Sequence, residues 1–328
     1  MNLQTKVNIT PPDFLIDYRS KLMLLGSCFA ENMGNKFTYY KFDVDVNPCG
    51  IVYNPRSVAN VLRLMLDNKK FQESDLLREN GKWISLYHHG CFSDRELMTV
   101  LNRINGRLEE ARENLKRTDL LVVTWGTAWV YKYMKTGMVV ANCHKIPDKE
   151  FERYRLSVGE IADEYISLIR RLREVNPDLR VMFTVSPIRH WKDGADGNQL
   201  SKSTLLLAIE QIREAVELVY YFPAYEIVLD ELRDYRFYAE DMLHLTSFTV
   251  DYIWERLLFS YISPDVLGVM NTIGRINKGI THRPFDATSD DYRNLVRKLL
   301  AAIREVTRIH PTVNFAKEIK QLEAYLTV

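Results

Sequence analysis

The stretch LMLLGSCFAENMGNKF, residues 22–37, decides how the rest of the chain is read. Residues 22–25 are apolar and too few for a helix of their own, so they read as a short buried strand. Gly26 permits a sharp turn, and the residues after it begin an amphipathic helix. A strand that turns directly into a helix exposes the side chains at the turn, and the amides at the helix start favour an oxyanion or a thiolate there. Ser27 and Cys28 occupy this turn and are two candidate nucleophiles.

Outward from this point, LLVVTW (120–125), RVMFTV (180–185) and EIVLD (226–230) are short apolar runs that also read as buried strands. Segments 94–116, 157–174 and 201–220 carry helical spacing; in the last, Leu205, Ile209, Ile212, Val216 and Val219 form one stripe. Ser157 with Glu160 fits a capping box, and Asn176-Pro177 closes that helix. The alternation predicts an α/β chain with a mostly parallel sheet covered by helices on both faces. Residues 129–143 read as a β-hairpin turning at Thr136-Gly137, and 188–201 as a polar loop with turns at Asp193-Gly194 and Asp196-Gly197. Open α/β sheets bind ligands beyond the carboxyl ends of their strands, where both insertions fall. Past Ser260 the chain reads as helical, with helices over 290–308 and 314–326. The expected division is an α/β domain over 1–260 and a C-terminal helical extension over 261–328 packed on it.

The 328 residues are 46% hydrophobic and 27% charged, a globular composition. With 44 basic against 43 acidic residues there is no bulk charge to hold a polyanion, so no nucleic-acid partner is expected. No apolar run approaches the roughly 20 residues of a membrane span. The opening residues lack the pattern of an export signal, so no membrane insertion and a cytoplasmic location are expected. Cys28, Cys49, Cys91 and Cys143 are scattered without C-x-x-C pairs, which argues for reduced thiols. His88-His89 with Cys91, and Cys143-His144, lack a second pair at zinc spacing, so no metal site is expected. The 18 tyrosines lie mostly in apolar runs and read as core.

Late in the chain, Asp241-Met242-Leu243-His244 precedes a helical continuation, LTSFTVDYIWERL. His244 is placed to take the nucleophile's proton and return it to a leaving group, with Asp241 orienting the ring. By itself a D-x-x-H block also fits a histidine satisfied by a carboxylate at a helix start.

The string Gly26-Ser27-Cys28-Phe29-Ala30, together with DGADGNQLSKS (193–203) and THRPF (281–285), resembles the GSCFA-domain family, which sits with the SGNH/GDSL esterase superfamily. The resemblance implies an SGNH-type fold, the three-layer α/β/α, flavodoxin-like form of the α/β arrangement, and acyl-ester chemistry. Aligned without a gap, Cys28 takes the place of the superfamily's serine; shifted by one residue, Ser27 does. A thiol at a helix start beside a histidine is expected to have a lowered pKa. Gly50, in Asn47-Pro48-Cys49-Gly50, matches the glycine block whose N–H faces the oxyanion. The third block is Gly126-Thr127-Ala128-Trp129, with alanine where the superfamily pattern has an asparagine. Asn142 is a candidate substitute, although a turn role competes, and His144 beside it is a candidate pocket residue. Arg189, His190 and Trp191 follow a strand at the ligand edge, where an arginine can hold a carboxylate or phosphate and a tryptophan can stack on a sugar. Lys202, near the next helix's start, could approach the site, although a solvent-exposed lysine is the default reading.

The resulting expectation is an SGNH-type acyl-ester hydrolase acting on an O-acyl or O-acetyl group, carried by a small molecule or a carbohydrate, with no metal or organic cofactor. Transfer to a hydroxyl acceptor by the same mechanism, or non-catalytic ligand binding on the same fold, are the alternatives. The C-terminal helices could instead serve assembly, and the oligomeric state is not written in the sequence. A working site needs Ser27 or Cys28 within reach of His244, with looser spacing allowed when the site is empty.

Overall fold

A computed structural model describes residues 4–282, 285 and 289–326. Strand β1 (Lys21–Gly26) leads through α1 (Cys28–Tyr39) to β2 (Asp43–Val46) and α2 (Pro55–Leu66). A small hairpin, β3 (Leu77–Glu79) with β4 (Lys82–Ile84), precedes α3 (Leu97–Lys116) and β5 (Leu120–Trp125). Then come β6 (Trp129–Tyr133), β7 (Met138–Val139) and β8 (Phe151–Arg155), followed by α4 (Val158–Val175), β9 (Arg180–Val185), α5 (Gly194–Ala215) and β10 (Val219–Tyr221). The short α6 (Ala224–Glu226) runs into a π-helical turn, Ile227–Leu232, and α7 (Ser247–Tyr261), α8 (Pro264–Thr281), α9 (Asp290–Ile309) and α10 (Ala316–Ala324) complete the order.

The central sheet has the order β10-β9-β5-β1-β2, and every neighbouring pair is parallel. This is the flavodoxin-like order, and its topological switch lies between β1 and β5. Alternate side chains along each strand feed two cores, as the pleat requires. Met23, Leu25, Val123, Trp125, Phe183 and Val185 pack with residues of α2, α3, α4 and α5. Leu22, Leu24 and Met182 pack on the other face with α1, α7, α8 and α9. The expected α/β fold with helices on both faces, a mostly parallel sheet and C-terminal helices is therefore the one that forms. Arg283 and Pro284 of the THRPF stretch lie outside the described residues.

Local signals account for most boundaries. Ser157 Oγ accepts from Glu160 N at 3.2 Å while the Glu160 carboxylate accepts from Ser157 N at 2.7 Å, so the capping box that starts α4 is real. The hairpin turns at Gly137, with φ +70°, and β8 adds a third strand on the far side of β6.

Three expectations are corrected. EIVLD (226–230) is helical, and the fifth strand is Val219–Tyr221 just ahead of it. A short apolar run is compatible with either state, and Pro223 breaks the chain between the two. Consequently Val216 and Val219 leave the stripe of α5: Val216 is the extended residue that caps the helix, and Val219 is in the sheet. Residues 194–201 are the first two turns of α5 rather than loop, so Asp196-Gly197 is helical, whereas Gly194 does turn, at φ +67°. Edge strand β2 (DVDV) was hidden by its aspartates; Asp45 is buried against Arg107 and accepts from Asn114 Nδ2 at 2.7 Å.

Gly26 ends β1 at φ +141°, and a Cβ there would lie 2.1 Å from the Thr124 carbonyl oxygen of β5. Sheet pairing and the turn that presents Cys28 therefore require glycine. Gly26→Ala is expected to lower unfolding free energy by about 3 kcal/mol or more in urea titration; unchanged stability would contradict this account of the turn.

Candidate active site

Ser27 and Cys28 stand side by side at the start of α1 but do different things. Ser27 is the N-cap: its Oγ accepts from Phe29 N at 3.3 Å, its own N–H reaches Thr124 O at 3.2 Å, and only 5% of the residue is exposed. Cys28 is the first residue of the helix and is half-buried. Burial pushes its thiol up from the ordinary value, against the pull of its own N–H, the Phe29 N–H and Lys202, while Glu31 pushes the same way as burial. The lowered thiol expected from the sequence is thus not found, because desolvation outweighs the helix start.

Lys202 is the residue that the sequence concealed. It is 0% exposed, and its Nζ donates to the carbonyl oxygens of Gly126 at 2.6 Å, Ser186 at 2.6 Å and Ile188 at 2.9 Å. These carbonyls lie just past the carboxyl ends of β5 and β9, so one ammonium ties the two strand ends together beside Cys28. Burial pulls Lys202 down to about 7, with the Cys28 charge opposing and the Arg189 charge assisting. Three acceptors use all three N–H bonds of the charged form, so this geometry selects the ammonium. The signal available in advance was position alone: Lys202 falls on the inner stripe of α5, about two turns into the helix.

The D-x-x-H block forms as a unit. His244 Nδ1 meets Asp241 Oδ2 at 2.5 Å, and Asp241 Oδ1 accepts from Leu243 N and His244 N, each at 2.9 Å. The His244 side chain is the leading cause that brings the Asp241 carboxyl down to about 2. Both side chains are largely exposed, and among the described residues the other ring nitrogen of His244 has no hydrogen-bond partner. No hydrogen bond joins His244 to Ser27 or Cys28. His190 stands between the two halves electrostatically. Burial brings its imidazole down to about 4, with Lys202, Arg153 and His244 adding to the shift and Asp193 opposing it.

The glycines expected to hold an oxyanion are occupied. Gly50 N donates to Asn47 O at 2.7 Å and Gly126 N to Tyr53 O at 2.7 Å, so neither amide is free. Gly126 matters differently: a Cβ there would lie 3.1 Å from His190 Nε2 and 3.2 Å from Tyr53 Cβ, so its lack of a side chain admits the His190 ring. Asn142 makes the competing turn, its Oδ1 accepting from His144 N at 2.8 Å. The His144 Nε2 meets Ser85 O at 2.8 Å, away from the nucleophile turn. Arg189, Trp191 and Asp241 line a cavity of about 520 Å³ beside the D-x-x-H turn. Among the described residues no group of three His, Cys, Asp or Glu side chains is placed to hold a metal ion, and no helix is long and apolar enough to cross a membrane.

A buried and a half-buried histidine make acid stability a test of this geometry. Burial lowers His88 to about 3 and His190 to about 4, so the unfolded chain, with histidines near 6.5, takes up protons that the fold refuses. Their contribution is fully present above about pH 6.5 and is lost as pH falls through the folded values. Stability should fall below pH 6.5 by up to about 1.4 kcal/mol per pH unit for each histidine. His190→Gln should flatten that slope in denaturant titrations at a series of pH values; an unchanged slope would place His190 in solvent.

The GSCFA family matches residues 21–257, and the C-terminal domain of GSCFA domain proteins matches residues 273–328. No curated protein matches the chain. Among solved structures, an acetyl xylan esterase from the rumen bacterium Butyrivibrio proteoclasticus aligns at 12% identity and a TM-score of 0.32, over 64% of this chain. The chain spans 56% of that protein's length. With the family match running from β1 to α7, this chain belongs to the GSCFA family.

Proposed function

We propose that the chain is an SGNH-type acyl-ester hydrolase in which Cys28 is the nucleophile, His244 the proton carrier and Asp241 its orienting partner. The substrate is an O-acetyl or similar O-acyl ester on a small molecule or carbohydrate. The observation that carries the reading is the preformed Asp241–His244 pair at 2.5 Å, with its second ring nitrogen unengaged, at the edge of a cavity. Ser27 is set aside because its hydroxyl is buried and caps α1.

In this reaction His244 takes the Cys28 proton as sulfur attacks the ester carbonyl, forming a C–S bond. The carbonyl oxygen becomes an oxyanion held by the Cys28 N–H and the neutral His190 ring, in place of the superfamily's asparagine. The C–O bond breaks, His244 gives the proton to the departing alcohol, and water activated by His244 then releases the acid and restores the thiol. A hydroxyl acceptor in place of water would make the same thioester an acyl donor. Lys202 supplies fixed positive charge next to the developing thiolate without exchanging its proton. Because His244 makes no hydrogen bond to Cys28, the exposed Asp241–His244 turn must close on the thiol when substrate binds. That same separation, with both glycine amides engaged, is what favours the second reading, a ligand-binding protein without turnover.

With acetyl-ester substrates, Cys28→Ala is expected to lower kcat/KM by roughly 1,000-fold or more and His244→Ala by roughly 100- to 10,000-fold. Ser27→Ala should keep most turnover while costing about 1 kcal/mol of stability through the lost cap. Lys202→Met should move the pH midpoint of Cys28 alkylation upward. Wild-type hydrolysis no faster than that of Cys28→Ala would overturn the Cys28 hydrolase reading.

A further inference from the structure

The cavity beside the D-x-x-H turn carries one charge that the protein does not match. Arg189 lines it, and among the described residues its guanidinium has no ion pair and no hydrogen bond; its Nε is buried without a partner. Arg189 acts electrostatically on Lys202, a charge of the same sign, and on Tyr225 and Tyr238, phenols that burial pushes up. The acidic groups on the cavity wall are engaged elsewhere. Asp241 is held by His244 and two backbone amides, and Asp234 accepts from Arg236 N at 2.8 Å. The other arginine of the wall, Arg233, bonds Asp230 at 3.3 Å. A partly buried guanidinium with no acceptor is costly, and an oxyanion presented to its planar fork removes that cost with two charge-assisted hydrogen bonds.

The rest of the wall favours a sugar. Trp191 is 52% exposed and Tyr235 is 69% exposed, and both line the same cavity. Large aromatic faces left open at a cavity rim suit the C–H face of a pyranose, and their polar edges suit its hydroxyls.

We infer that the cavity at Arg189 binds an anionic sugar, in which a carboxylate or phosphate pairs with the Arg189 guanidinium while the ring lies against Trp191 and Tyr235. The inference deepens the proposed ester chemistry by naming the substrate class, since Asp241 borders the same cavity and the ester would sit toward His244. It does not depend on turnover.

The test is calorimetric titration of the full chain with glucose, glucuronate and glucose-6-phosphate, repeated with Arg189→Leu and Arg189→Lys. Wild type should bind at least one anionic sugar roughly 10- to 100-fold more tightly than glucose. The preferred anion identifies the group as carboxylate or phosphate. Arg189→Leu should bring the anionic-to-neutral ratio to about 1, and Arg189→Lys, which keeps the charge but not the fork, should retain part of it. Equal or absent binding of the anions by wild type, or an unchanged ratio in Arg189→Leu, overturns the inference. Because the readout is binding, an inactive chain that still prefers the anion would sink the hydrolase proposal and leave this one standing.

Discussion

The ammonium of Lys202, buried under the carboxyl ends of β5 and β9, is the constraint on which the site depends. Removing an ammonium from water costs several kcal/mol even after relaxation. Hydrogen bonds to a charged donor return about 1.5–3 kcal/mol each, and here three carbonyls supply them. Those carbonyls belong to Gly126, Ser186 and Ile188, so the loop that carries Arg189 and His190 is pinned to the block that follows β5. His190 can then lie over Gly126, whose missing side chain leaves the room. Cys28 is reached from the other side, through the turn at Gly26. One interaction thus fixes the block after β5 against the loop that enters the cavity wall.

The parts of this design that were legible in the sequence obey local rules. Strands β1, β5 and β9 are apolar and short, α4 announces itself by Ser157 and Glu160, and the Gly137 hairpin by its turn residues. The D-x-x-H block is likewise local, because Asp241 caps the turn that presents His244. What the sequence hid depends on tertiary context. Residues 226–230 have a strand's composition, yet Val219–Tyr221 already fills the sheet edge. The two aspartates of β2 obscure a strand that Arg107 and Asn114, both from α3, make tolerable. A lysine is exposed by default, and only the convergence of three strand-end carbonyls makes Lys202 a core residue. The same limit applies to Gly50 and Gly126: motif position marks them, but which acceptor uses each amide is decided by Asn47 and Tyr53.

The electrostatics of the site follow from burial competing with fixed charge. Cys28 sits at a helix start next to an ammonium, which would ordinarily release its proton, but desolvation prevails and keeps it a thiol at rest. His190 is held neutral by burial and by the positive groups around it, so it offers an uncharged N–H donor. His244 is exposed and paired with Asp241. Under the proposed reaction, storage of the nucleophile, stabilisation of charge and proton transfer would fall to three different residues.

The most direct test of that account is intact-mass spectrometry after rapid quenching with p-nitrophenyl acetate, followed by peptide mapping. One acetyl group on Cys28 of the wild type, absent from Cys28→Ala and from His244→Ala, is the predicted result. An acetyl group on Ser27, or labelling of Cys28 that is indifferent to His244, would contradict it.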